Sequence, residues 1–166
     1  MSRAFVKEPE GPNVEDTPER PLSPHPNYVT PASLEHRRTR LHSTEQRLST
    51  LPAEALDTAS QRAALQRELR WLQARISSAI VIDPATQPRD RVAFGAEVTL
   101  AEVDSGLQRR YHIVGEDEAD PEQGRISWAS PLAQALLDAQ IGEIVTWQRP
   151  AGDLDVEVLT IEYPVA

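Results

Sequence analysis

The spacing of apolar residues along the chain changes once, near residue 83. Before it, Leu34, Leu41 and Leu48 recur every seven residues. After a break at Leu51-Pro52, Leu65, Leu69, Leu72, Ile76, Ala79 and Ile80 follow the a/d spacing of paired helices. Thr30 can cap the first helix, and Pro31 fits its first position, where the missing N–H costs nothing. The pattern predicts an antiparallel helical hairpin, a short coiled coil over residues 28–82. Each helix of about 18 to 25 residues would extend roughly 27 to 38 Å.

"DPATQPRDR" breaks the second helix and is read as a linker over 83–91. Beyond it the period falls to two. "VAFGAEVTL" and "RRYHIVGED" alternate apolar and polar residues on either side of an Asp104-Ser105-Gly106 turn. "RISW" is a short third strand. Ser130 and Pro131 open a helix whose inner stripe is Leu132, Leu136 and Leu137. "EIVTWQR" and "DVEVLTIEY" form a last hairpin across Pro150-Ala151-Gly152. In the final strand Leu154, Val156 and Val158 share one face, but Leu159, Ile161 and Tyr163 share the other. A bulge near Val158, or burial on both faces there, reconciles the two sets. The fold class expected is α+β: the helical hairpin, then a small antiparallel sheet with one helix over residues 92–166.

Composition narrows the functions available. The net charge is −9, which argues against sequence-specific or general binding of duplex DNA. Charge is unevenly spread: residues 32–82 carry eight arginines against five acids, and 83–166 carry six against sixteen. The eight, Arg37, Arg38, Arg40, Arg47, Arg62, Arg67, Arg70 and Arg75, are assigned to the outer faces of the hairpin. There is no cysteine, so disulfides and thiolate metal sites are excluded. Seven of the fourteen prolines lie between Pro9 and Pro31, and residues 1–27 read as a disordered arm. With no apolar leader and no membrane-spanning run, a cytoplasmic protein without membrane contact is expected.

"ISWASPLAQALLDAQIGEIVTWQRPAG" followed by "DVEVLTIEY" resembles the C-terminal domain of the Gre transcript cleavage factors of bacterial RNA polymerase. "FGAEVTL" and "YHIVGEDEAD" match that family's two earlier strands in order, and "YVTPASLEHRRTRL" is similar to its helical entry. The resemblance spans residues 28–163 and is strongest after Phe94. It implies an FK506-binding-protein-like C-terminal domain that docks at the polymerase's secondary channel, while the coiled-coil arm enters that channel. It also implies two acids at the arm tip that help hold a second Mg²⁺ at the polymerase's own active site. Carboxylate oxygens suit Mg²⁺, and a second ion stabilises the attacking and leaving oxygens of phosphodiester hydrolysis. Such a factor is an accessory, not an enzyme, and brings no cofactor or stably bound metal of its own.

The resemblance is uneven across the working parts. The family's tip reads approximately Gly-Asp-x-Ser-Glu-Asn-Ala-x-Tyr, whereas this chain has "STLPAEALDTASQ". Glu54 and Asp57 keep acids three apart, in reversed order and without the Ser, Asn and aromatic neighbours. They are either a divergent Mg²⁺-positioning pair or plain turn residues, with Asp57 or Thr58 capping the second helix. The family's basic arm faces nascent RNA, which makes Arg62, Arg67 and Arg70 candidates for RNA or polymerase contact. Ser130 and Pro131 match the polymerase-docking loop, though Ala129 stands where an Asp or Asn is usual. "GEDEADPEQG" is read as a solvated hairpin loop, because its acids do not fit a calcium loop. Trp71, Trp128 and Trp147 are read as packing residues. The functions consistent with these features are a cleavage-stimulating elongation factor, a non-cleaving occupant of the channel, and a stand-alone protein-interaction module.

Overall fold

The computed structural model describes residues 18–53 and 58–165. Thr30 is extended, and its hydroxyl accepts from the Ser33 N–H at 3.2 Å, starting α1 (Pro31–Thr50) with proline in its first turn. α2 (Ala59–Ser77) returns alongside it, so that Arg62 reaches Leu51 and Arg40 reaches Glu68. Leu34, Leu41 and Leu48 are half-buried along the seam. The positions interleaved between them at three- and four-residue steps are Arg37 and Thr44, and both are buried. On α2 the buried residues are Leu65, Trp71, Leu72 and Arg75. Arg37 and Arg75 therefore do not belong to the outer faces where charge alone put them; the heptad carries Arg37 inward, and Arg75 is buried beside the stripe residue Ile76.

The second helix is also shorter than its apolar stripe. It ends at Ser77, and Ala79–Val81 forms β2, which pairs in parallel with β1 (Asn27–Val29). The β-branched run Ile80, Val81 and Ile82 favours this extended exit. The Ile82 N–H continues the pairing to the Val29 carbonyl at 2.8 Å. The base of the hairpin is thus held by a two-strand clamp.

The following sheet contains β3 (Glu97–Glu102), β4 (Gln108–Val114), β5 (Arg125–Ser127), β6 (Ile144–Trp147) and β7 (Leu154–Glu162), in the order β5-β4-β3-β7-β6. The turn between β3 and β4 is the expected one, with Gly106 at φ +70°. The sheet is mixed rather than wholly antiparallel, because β5 runs parallel to β4. Two short 3₁₀ turns, Glu116–Glu118 and Pro121–Gln123, carry the chain back before β5 starts. The acid-rich stretch is therefore a shaped crossover, not a hairpin loop.

The conflict of faces in the last strand is resolved by a bulge. Thr99 pairs with Thr160 but Leu100 pairs with Val158, which leaves Leu159 as the extra residue. The bulge resets the alternation, so Val156, Val158 and Tyr163 all reach one core. That core also takes Val98, Leu100 and Ile113 from the sheet, and Leu132, Ala133 and Leu136 from α3 (Pro131–Leu136). The 83–91 segment is fastened to it. Pro84 is buried, Gln87 donates to the Phe94 carbonyl at 2.9 Å, and the Tyr163 hydroxyl donates to the Arg91 carbonyl at 2.6 Å.

Candidate functional site

Where the hairpin meets the sheet, charges from three elements converge. Arg75 Nε donates to Asp117 Oδ2 at 2.7 Å, and Arg37 Nη2 lies 3.0 Å from the same oxygen. Asn27 holds the arginines in register: it accepts from Arg37 Nη1 at 3.2 Å and donates to the Arg75 carbonyl at 2.7 Å. Burial pushes the Arg37 guanidinium below its ordinary value, while Asp117 and Glu118 act against that. The Asp117 backbone is exposed, yet its side chain is only 19% exposed. Gly115 brings this crossover close to the arm: a Cβ there would lie 2.6 Å from the Tyr28 carbonyl oxygen. Tyr28 packs edge-on against Trp128 with centroids 4.8 Å apart, and lies near Phe94 as well. The arm is thus clasped to the sheet by one carboxylate shared between two buried guanidinia.

Beside the clasp, His25 Nδ1 lies 2.9 Å from Glu116 Oε1. Burial acts to raise the Glu116 carboxyl, but hydrogen bonds to Ser23 and His25 outweigh it and hold the group below its ordinary 4.5. A carboxyl lowered on folding stabilises the fold above its unfolded-state value. That contribution disappears as the pH falls from 4.5 through the lowered value. Urea midpoints at pH 7 and pH 3.5 are therefore expected to differ less in Glu116→Gln than in the parent chain.

The basic candidates have unequal surroundings. Arg62 is half-buried and donates to the Leu51 and Pro52 carbonyls at 3.3 and 3.1 Å, closing the end of α1. Arg67 is half-buried and Arg70 exposed. Both face the segment before β1, which runs along α2. Arg70 Nη2 donates to Glu19 at 2.5 Å, and this bond holds the Glu19 carboxyl below its ordinary range. The Arg20 guanidinium lies over Trp71, 3.6 Å from the ring centroid. Residues 18–26, expected to belong to a disordered arm, thus make defined contacts; composition alone could not show that their side chains fit α2.

The remaining candidates fall in different places. Glu54 and Asp57 lie outside the described residues. Thr58 stands at the start of α2, and its hydroxyl donates to the Pro52 carbonyl at 3.1 Å. Ser130 caps α3 by accepting from the Ala133 N–H at 3.3 Å, and Pro131 follows it, exposed. The preceding turn is fixed by Ala129 N–H to Ser127 Oγ at 3.1 Å and by Gln134 Nε2 to the Trp128 carbonyl at 2.8 Å. Trp71 is buried, and Trp128 and Trp147 are half-buried against their neighbours. Among the described residues, no cluster of three or more His, Asp or Glu side chains is arranged to hold a metal ion. Among them, too, no helix is long and apolar enough to cross a membrane. The clasp was missed from sequence, although one signal was present: Arg37 occupies a seam position of the α1 heptad.

A family model described as transcription elongation factor GreA/GreB, C-terminal, matches residues 87–163. The chain is 37% identical over 99 residues to the transcription elongation factor GreA of Thermodesulfovibrio yellowstonii, covering 60% of this chain and 63% of that one. It is 38% identical over 108 residues to the GreA of Desulfovibrio desulfuricans, covering 64% and 67%. It is 41% identical over 100 residues to the GreB of Neisseria meningitidis serogroup B, covering 60% and 61%. The match to the Thermodesulfovibrio relative therefore spans less than two thirds of that protein's length. Among solved structures, a GreA/GreB elongation factor from Nitrosomonas europaea aligns with a TM-score of 0.42 at 22% identity, over 82% of this chain and 98% of that one. From the sheet and capped helix that the family model covers, and from these relatives, the chain belongs to the GreA/GreB family of transcription elongation factors.

Proposed function

We propose that this protein is a cytoplasmic transcription elongation factor that binds bacterial RNA polymerase and acts through its secondary channel. The observation that supports it most is the GreA/GreB C-terminal match over residues 87–163, which includes the Ser130-capped turn. In this reading the Ser127–Pro131 turn docks on the polymerase and the α1–α2 hairpin enters the channel. Arg67 and Arg70 then face the nascent transcript. The protein is an accessory to the polymerase's catalyst and not an enzyme. The polymerase's Mg²⁺ supplies the Lewis acid for cleavage of a backtracked transcript; Glu54 and Asp57 are the residues of this chain offered to it.

A second reading, of a channel occupant that does not stimulate cleavage, is favoured by the tip itself. Its acids are in reversed order, and it lacks the Ser, Asn and aromatic neighbours of the family pattern. α1 has 20 residues, about 30 Å of helix at 1.5 Å per residue, which sets the reach of the arm.

One experiment separates the readings: stalled elongation complexes carrying labelled transcript, incubated with Mg²⁺ and the purified protein, with polymerase binding measured in parallel. Release of short 3′ fragments, lost in Glu54→Ala/Asp57→Ala, is expected for a cleavage factor. Binding without release identifies the channel occupant. Absence of binding to polymerase overturns the proposal.

A further inference from the structure

The segment leading into β1 occupies one particular face of α2. Arg67, Arg70, Trp71 and Ala74 are spaced i, i+3, i+4, i+7 and so share a helix face. Residues 18–26 run along it in the same direction as α2, consistent with the parallel β1–β2 pair at its end. Glu19 meets Arg70, Arg20 meets Trp71, and Leu22 and Pro24 line a cleft with Ala74 and Ser78. The contacts come in an order that alternates chemistry: a carboxylate on a guanidinium, then a guanidinium over an indole.

That pairing has the form of a bound nucleotide. Single-stranded nucleic acid is held without sequence preference by cationic side chains on its phosphates and aromatic rings under its bases. Here the Glu19 carboxylate stands at the guanidinium where a phosphate would sit, 2.5 Å from Arg70. The Arg20 guanidinium lies on Trp71 where a base would stack, 3.6 Å from the ring centroid. Arg67 adds a second positive charge that acts on Glu19. Trp71 also borders a cleft of about 590 Å³ lined by His36 and Arg40 and by Asp117 and Glu118. Asp117 is already turned to Arg37 and Arg75. The sequence before the strap is itself acidic, with Glu8, Glu10, Glu15 and Asp16 preceding Glu19.

We propose that residues 18–26 form a displaceable strap that covers the Arg67–Arg70–Trp71 face of α2 in the free protein and competes for it with the single-stranded transcript that the elongation-factor reading already places there. The proposal rests on the elongation-factor reading for its choice of RNA, and adds to it a built-in competitor. Arg37 and Arg75 are locked in the clasp and Arg62 in the turn, which leaves Arg67, Arg70 and Trp71 as the residues the strap controls. An RNA must displace the strap, so the apparent affinity is reduced by the fraction of molecules in which the face is free.

The test is fluorescence anisotropy of a labelled single-stranded RNA of about ten nucleotides, a length within the usual single-strand site size. The full chain is compared with Glu19→Ala/Arg20→Ala. This double change removes one charge of each sign, so the net charge of −9 is kept and bulk electrostatics cannot explain a difference. The variant is expected to bind about tenfold tighter, corresponding to a face covered in roughly nine molecules of ten. Adding Arg67→Ala and Arg70→Ala to it is expected to reverse the gain and flatten the salt dependence. Equal affinity of the parent and the double variant overturns the strap, and leaves the elongation-factor reading standing if polymerase still binds. Absence of RNA binding by every form, with polymerase binding intact, overturns the RNA contact. Loss of polymerase binding by the parent chain is the distinct result that removes the underlying reading.

Discussion

Asp117→Ala is expected to lower the stability of the chain by about 3 kcal/mol, measured by urea denaturation at neutral pH. The reason lies in what the carboxylate leaves behind. Arg37 and Arg75 are 6% and 4% exposed, so both guanidinia are largely withdrawn from water. After the substitution Arg37 keeps the Asn27 oxygen at 3.2 Å but only one carboxylate, Glu118, at 3.7 Å, and Arg75 Nε loses its 2.7 Å partner. Breaking one side of a buried ion pair costs more than the pair is worth, because the surviving charge remains desolvated. For a chain of this size the change corresponds to roughly 6 to 12 °C in melting temperature. Arg37→Met and Arg75→Met in the Asp117→Ala background are expected to recover part of the loss, because they remove the orphaned charges. Asp104→Ala, in the exposed β3–β4 turn, is the control and is expected to stay within about 0.5 kcal/mol. A loss below about 1 kcal/mol for Asp117→Ala would mean that the two guanidinia find other partners, and the clasp would not hold the arm.

Much of this architecture was legible where one physical rule dominates. Leu34, Leu41 and Leu48 marked α1, because a heptad of leucines has few other uses. The two sets of apolar residues in the last strand implied a break in alternation, and the bulge at Leu159 supplies it. Thr30 and Ser130 cap the helices that they were expected to cap. Misreadings arose where residue type and position disagree. Arg37 and Arg75 were assigned to solvent because they are charged, although the spacing of Arg37 placed it in the seam; Arg75 lies one residue off the α2 stripe. Their burial depends on Asp117, which is 42 residues from Arg75, and no local pattern reports that pairing. β1 and β2 have three residues each, too few to show a period, and the parallel pairing that defines them is non-local. The same holds for β5, whose direction is set by two 3₁₀ turns rather than by its own residues. The strap over α2 is the extreme case: Pro-rich composition predicts poor burial, and says nothing of a carboxylate and a guanidinium that each meet a partner on a helix.

Leu72→Ala is expected to cost about 2 to 5 kcal/mol by the same measurement, as a cavity in a seam with little else to fill it. Leu72 is 0% exposed, whereas the leucines of α1 are only half-buried. Its combination with Asp117→Ala carries more information than either change alone. Leu72 lies one turn before Arg75 on α2 and borders the same cleft as Arg37 and Asp117. If the clasp and the seam form one cooperative unit, losing Asp117 already loosens the packing around Leu72, and the double variant falls short of the sum by about 1 kcal/mol. Leu136→Ala is the matched comparison, because Leu136 is also 0% exposed but packs in the core between α3 and the sheet. Its effect is expected to add to that of Asp117→Ala. The opposite result, additivity at Leu72 and coupling at Leu136, would assign Asp117 energetically to the sheet. The arm would then be a separately melting hairpin held by β1 and β2 alone, and its orientation on a polymerase would be set by the partner rather than by the fold.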